Sequence, residues 1–127
     1  MNAVGPLAGV DVLDLAGPAG VFAGRLLADL GARVLRVEAP DGGSVRHLAP
    51  FLDGDGPLVE RSLYHLHHNA NKESMVLDLS SDDGRRRLRD LLSRADVVIE
   101  TERGGDAEVG ALGWAFVDVR AANPGVI

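Results

Sequence analysis

Short apolar runs alternate along the chain with helix-length amphipathic stretches. Val10 to Leu15, VDVLDL, predicts a strand, and the breakers Gly17-Pro18-Ala19-Gly20 close it. From Val21 to Leu30 the apolar positions Val21, Phe22, Leu26, Leu27 and Leu30 recur at helical spacing. Gly31 stands where a glycine in the left-handed conformation would end that helix. Arg33 to Glu38, RVLRVE, predicts a second strand, and Ala39 to Gly43 a turn. Strand, helix and strand within about thirty residues form a βαβ unit, whose crossover makes the strands parallel.

Ser44 to Arg61 is irregular, with Asp53-Gly54-Asp55-Gly56-Pro57 as a loop, and Ser62 to His68 predicts a short helix. A second βαβ unit follows: a strand over Met75–Leu79, a helix over Ser81–Leu92 with Ser81 as N-cap, and a strand over Asp96–Glu100. Thr101 to Gly110 reads as a loop and Ala115 to Ala122 as a helix stopped by Asn123-Pro124-Gly125. The expected fold class is α/β, a Rossmann-like parallel sheet built from two βαβ units. Val126-Ile127 reads as the opening of a further strand, so the 127 residues are expected to be the N-terminal part of a longer protein.

Composition narrows the function classes. Apolar residues are 46% and charged residues 25%, the balance of a globular domain and not of a disordered tail. No apolar run reaches the ~20 residues of a membrane span, and MNAVGPLAGVDVLDL has no basic leader, so a cytoplasmic domain without membrane attachment is expected. The absence of cysteine excludes disulfides, thiolate nucleophiles and thiolate metal sites. Thirteen basic against nineteen acidic residues give a net charge of −6, which argues against nucleic acid. The one basic cluster, Arg85-Arg86-Arg87 with Arg89, reads as a solvated helix face. Lys72 is the single lysine.

Candidate chemistry is sparse by motif. The glycines at 17, 20 and 24 miss the G-x-G-x-x-G spacing of a dinucleotide site, although Glu38 closes the next strand about twenty residues on. His47, His65, His67 and His68 lack the partners of a metal site, so none is expected. G-x-S-x-G and G-x-x-x-x-G-K-[ST] are both missing. Composition and spacing alone lead to a Rossmann-like ligand-binding half.

The order of several segments resembles the N-terminal region of the class III CoA-transferases, the family of formyl-CoA transferase, carnitine CoA-transferase and α-methylacyl-CoA racemase. The segments are PLAGVDVLDL from Pro6, LLADLGA over Leu26–Ala32 and VLRVEAPDGGS over Val34–Ser44. They continue with NANKES over Asn69–Ser74, VLDLSS over Val76–Ser81, the stretch from Gly84 to Glu100, and NPGVI over Asn123–Ile127. Together they cover essentially the whole chain, residues 1–127, as a single N-terminal segment of such a domain.

The resemblance implies an interlocked homodimer, or a partner subunit, that exchanges CoA between carboxylic acids or epimerises acyl-CoA. Coenzyme A or acyl-CoA would be substrate, with no covalently bound cofactor. The family's aspartate attacks the thioester, forms a mixed anhydride and releases CoA thiolate. That aspartate lies downstream of NPGVI, so no catalytic residue is expected among these 127. Carried over position by position, the CoA contacts fall on Ala19, Lys72, Leu77-Asp78-Leu79-Ser80, Thr101 and Arg103. The family's arginine, lysine, aromatic and second arginine are replaced by Ala39, Ser80, Glu102 and Val109. A diverged, noncatalytic family domain that supports a partner is the alternative.

Overall fold

The computed structural model describes residues 4–101 and 116–127. Four strands, β1 (Asp11–Asp14), β2 (Arg33–Glu38), β3 (Glu73–Val76) and β4 (Val97–Ile99), form one sheet in the order β3-β2-β1-β4. Every pairing within it is parallel. The helices are α1 (Val21–Asp29), α2 (Leu63–His68), α3 (Asp82–Leu92) and α4 (Phe116–Ala122). None of the described helices is long and apolar enough to cross a membrane.

Alternation along the strands sorts the side chains between two layers. Val12 and Val34 meet Ala28 of α1 and Ala32 on one face. Leu13, Leu15 and Val37 meet Leu88 and Leu92 of α3 on the other, with Val119 of α4 packed beside them. Covering a parallel sheet on both faces is what burial of its strands requires. Strand order reverses between β1 and β4, since β2 and β3 extend from one side of β1 and β4 from the other. The expected parallel α/β sheet is therefore present.

The helix ends follow the sequence signals. Gly31 has φ of +99°, and its N–H donates to Ala28 O while Ala32 N–H donates to Leu27 O, both at 3.0 Å. These are the paired bonds of a Schellman motif, which satisfy carbonyls a bare helix end would leave open. Ser81 and Ser62 both act as N-caps, their hydroxyls accepting from Gly84 N–H at 3.0 Å and His65 N–H at 3.1 Å.

One expectation shifts in position. The third strand spans Glu73–Val76 and not Met75–Leu79, because polar contacts recruit its start and a side chain ends it. Arg33 donates to both Glu73 carboxylate oxygens at 3.2 Å, and Ser74 Oγ donates to Glu38 at 2.6 Å. Past Leu77, whose N–H still donates to Glu38 O at 2.9 Å, Asp78 accepts from Ser80 N–H and turns the chain. The second βαβ unit is present with its strands parallel but at opposite edges of the sheet, so α3 carries the chain across it. Ile127 meets the outer edge of β4, donating to Asp96 O at 3.0 Å and accepting from Val98 N–H at 2.9 Å.

Candidate functional site at the carboxyl edge of the sheet

The carboxyl ends of β1 and β4 diverge into two loops at the point where strand order reverses, the usual ligand position in an open parallel sheet. The first loop runs from Leu15 to Gly20 and feeds α1; the second begins at Glu100-Thr101. They meet directly, because Thr101 Oγ1 accepts from Gly17 N–H at 2.9 Å. A Cβ on Gly20 would fall 2.8 Å from Thr101 Cγ2, so a larger residue there would push Thr101 away from the turn. Ala19 stands exposed at the tip of the turn. The N–H groups of Gly20 and Val21 both donate to Gly17 O at 3.1 Å, which closes the turn on itself.

Beneath the turn lies a group of charged side chains inside the sheet. Asp14 and Arg36 occupy paired positions on β1 and β2, and their side chains are 0% and 2% exposed. The Lys72 side chain is 1% exposed. Asp14 Oδ1 accepts from Arg36 Nη1 at 3.1 Å and from Ala16 N–H at 3.0 Å, and Asp14 Oδ2 accepts from Lys72 Nζ at 2.7 Å. Lys72 Nζ also donates to Val21 O at 2.8 Å and Asn69 Oδ1 at 2.9 Å, which uses all three of its hydrogens. Arg36 Nη1 donates further to Ala16 O. Burial pushes the Lys72 amine down, opposed by the Asp14 carboxylate.

A second ion pair adjoins the first on the same face. Arg46 donates to Glu38 at 2.5 and 3.0 Å, and Ser74 Oγ donates to Glu38 as well. Burial would raise the Glu38 carboxyl, but these donors hold it below the ordinary carboxylate value. With its oxygens engaged in this way, Glu38 is not placed like the ribose-binding acid of a dinucleotide site. Burial, then Arg46, lowers the half-buried His65 imidazole, whose Nδ1 lies 3.2 Å from Asn69 Nδ2. Tyr64 stacks on His68 with ring centroids 4.1 Å apart and donates to Pro18 O at 3.2 Å, reaching the turn from α2.

The sequence-derived positions divide into three sets. Ala19 and Thr101 come together at the reversal point. Leu77, Asp78, Leu79 and Ser80 lie at the same carboxyl edge but follow β3, two strands and about 10 Å away. There Leu77 is buried, Leu79 packs on the α3 side of the core, and Asp78 accepts the Ser80 hydroxyl at 2.5 Å. Lys72 lies under the turn and not on its surface. Arg103, with Glu102 and Val109, falls outside the described residues. Ala39 is half-buried just after β2. Among the described residues no three His, Asp or Glu side chains converge as a metal site.

Sequence reasoning missed Asp14, Arg36, Arg46 and Tyr64. A signal existed for the first two: each is a charge with valine or leucine on both sides of it in the sequence, where a strand is expected. The Asn69–Lys72 motif also gains a physical account. Asn69 binds Lys72, and Asn71, at φ of +65°, donates to Asp29 Oδ1 at 2.6 Å. A separate cleft of about 330 Å³ opens at the opposite end of the strands, between Asp11, Arg33 and Glu73 and the α3 end at Leu91.

A family model described as CoA-transferase family III matches residues 7–127. The chain is 39% identical over 127 residues to a probable fatty acyl-CoA transferase of Mycobacterium tuberculosis, covering 99% of this chain and 31% of that protein. It is also 39% identical over 127 residues to a succinate–glutarate CoA-transferase of Agrobacterium fabrum, covering 96% and 31%. A solved CAIB/BAIF family protein from Brucella suis superposes with a TM-score of 0.79 at 37% identity, covering 97% of this chain and 32% of that one. The chain spans about a third of the length of these relatives.

Proposed function

The chain belongs to CoA-transferase family III, and we propose that it supplies the CoA-facing strand edge of an enzyme that moves CoA between carboxylic acids. The observation that carries this reading is the contact of the Gly17–Gly20 turn with Thr101 where strand order reverses. Exposed Ala19 leaves the turn's tip without a bulky side chain, so an extended pantetheine arm can lie against the backbone. Leu77–Ser80 borders the same edge and would contact the far end of the ligand. Arg103 follows Thr101 closely enough in sequence to serve a phosphate.

The reacting carboxylate belongs to a segment outside these 127 residues. Its oxygen adds to the thioester carbon, the C–S bond breaks, and the electron pair leaves on the CoA sulfur, giving a mixed anhydride and a thiolate. Acyl-CoA epimerisation on the same scaffold is the related outcome. Homodimer assembly and a cytoplasmic location belong to the same reading.

One observation favours a noncatalytic family domain instead. Ala39 and Ser80 offer no cation, and the Ser80 hydroxyl is turned into Asp78. Calorimetric titration of the chain decides between the two. Saturable heat with CoA and succinyl-CoA, and none with NAD, supports the transferase reading. No heat with either thioester or CoA overturns it in favour of the noncatalytic domain. Turnover of acyl-CoA by residues 1–127 alone would refute the placement of the nucleophile elsewhere.

A further inference from the structure

We propose that Asp14, Arg36 and Lys72 form a clamp that positions the Gly17–Gly20 turn for its ligand, with Lys72 acting through the turn and never touching CoA. The inference rests on the reading that this turn faces CoA.

The clamp grips the turn at both of its ends. Ala16, the residue before it, donates its N–H to Asp14 and accepts from Arg36 at its carbonyl. Val21, the residue after it, accepts from Lys72 at its carbonyl. Asp14 joins the two grips, since its separate carboxylate oxygens hold Arg36 and Lys72. The four residues between are thereby fixed at entry and exit, while Thr101 and Tyr64 hold Gly17 and Pro18 from the sides. Strand register puts Asp14 opposite Arg36, and the tight Asn69–Lys72 turn brings the ammonium up beneath α1.

Stability alone does not account for this arrangement. A buried carboxylate with two cations carries a desolvation cost that apolar residues of similar volume would avoid. Fixing a functional loop to sub-ångström geometry is a use for which a directional hydrogen-bonded network suits better than an apolar contact. Lys72 has no hydrogen left for a phosphate while its three bonds stand. It is therefore a positioning residue.

The chain contains no cysteine, which makes a selective chemical test available. Lys72→Cys is alkylated in denaturant and refolded, one batch with bromoethylamine to restore an ammonium and one with a propyl halide to restore only bulk. Amide hydrogen exchange and CoA titration are then read on both batches, on Lys72→Met and on the parent chain. Lys72→Met and the propyl form should speed exchange at Ala16, Gly20 and Val21 by about tenfold relative to the Val34–Val37 amides, and weaken CoA by a similar factor. The aminoethyl form should return both toward the parent values. Uniform acceleration across the strands, or rescue by the propyl form, overturns the clamp. Localised acceleration in Lys72→Met and the propyl form, together with no CoA heat from the parent chain, supports the clamp and refutes the CoA reading.

Discussion

Glu38 is 3% exposed yet ionised, held so by Arg46 and Ser74. A carboxyl whose folded pKa lies below its unfolded value stabilises the fold above the unfolded value, about pH 4.3, and loses that contribution as pH falls through the folded one. Glu38→Gln should therefore lower the urea midpoint at pH 7 and flatten the decline as pH falls below about 4.3. A variant whose acid limb keeps the parent slope would show that another carboxyl governs it. At this scale the sequence was partly legible. Lys72 stood out as the single lysine in a motif, but its burial depends on Asp14, and nothing local links residues 14 and 72. Their contact arises only when β1, β2 and the turn before β3 lie side by side.

Among the elements, α1 shows two preferences in conflict. Replacing a mid-helix glycine by alanine ordinarily gains about 1 kcal/mol from propensity. At Gly24 the added Cβ would stand 2.7 Å from Asp14 Oδ2 and 3.1 Å from Lys72 Nζ. Gly24→Ala should thus destabilise by about 1–3 kcal/mol, as overpacking does, measured by chemical denaturation. A gain in stability would mean that the ion pair has room to move away from the helix. Element positions were otherwise well marked by apolar periodicity, the capping Ser81 and Gly31. The exception, β3, has only Met75 and Val76 as apolar residues, both exposed. Its extent follows from cross-strand polar contacts that periodicity does not encode.

For the whole molecule, strand order was less legible than strand number, because a βαβ pattern fixes direction but not which edge the next strand joins. The carboxyl edge was foreseeable as the ligand side from parallel topology alone, whereas Arg103 lies beyond the described residues. On the outside, Phe22 and Leu26 of α1 and Leu30 at its C-cap are 47%, 48% and 46% exposed, an apolar stripe that a hydrophobic dye should find. Leu26→Gln with Leu30→Gln should reduce dye fluorescence while changing stability by no more than about 0.5 kcal/mol per site. Retained fluorescence would place the dye elsewhere. The burial of Lys72 also makes the chain its own unfolding gauge. An amine reagent or a lysine-specific protease finds its sole side-chain target only after the sheet opens, so labelling or cleavage at residue 72, followed over time, counts opening events in the otherwise native population.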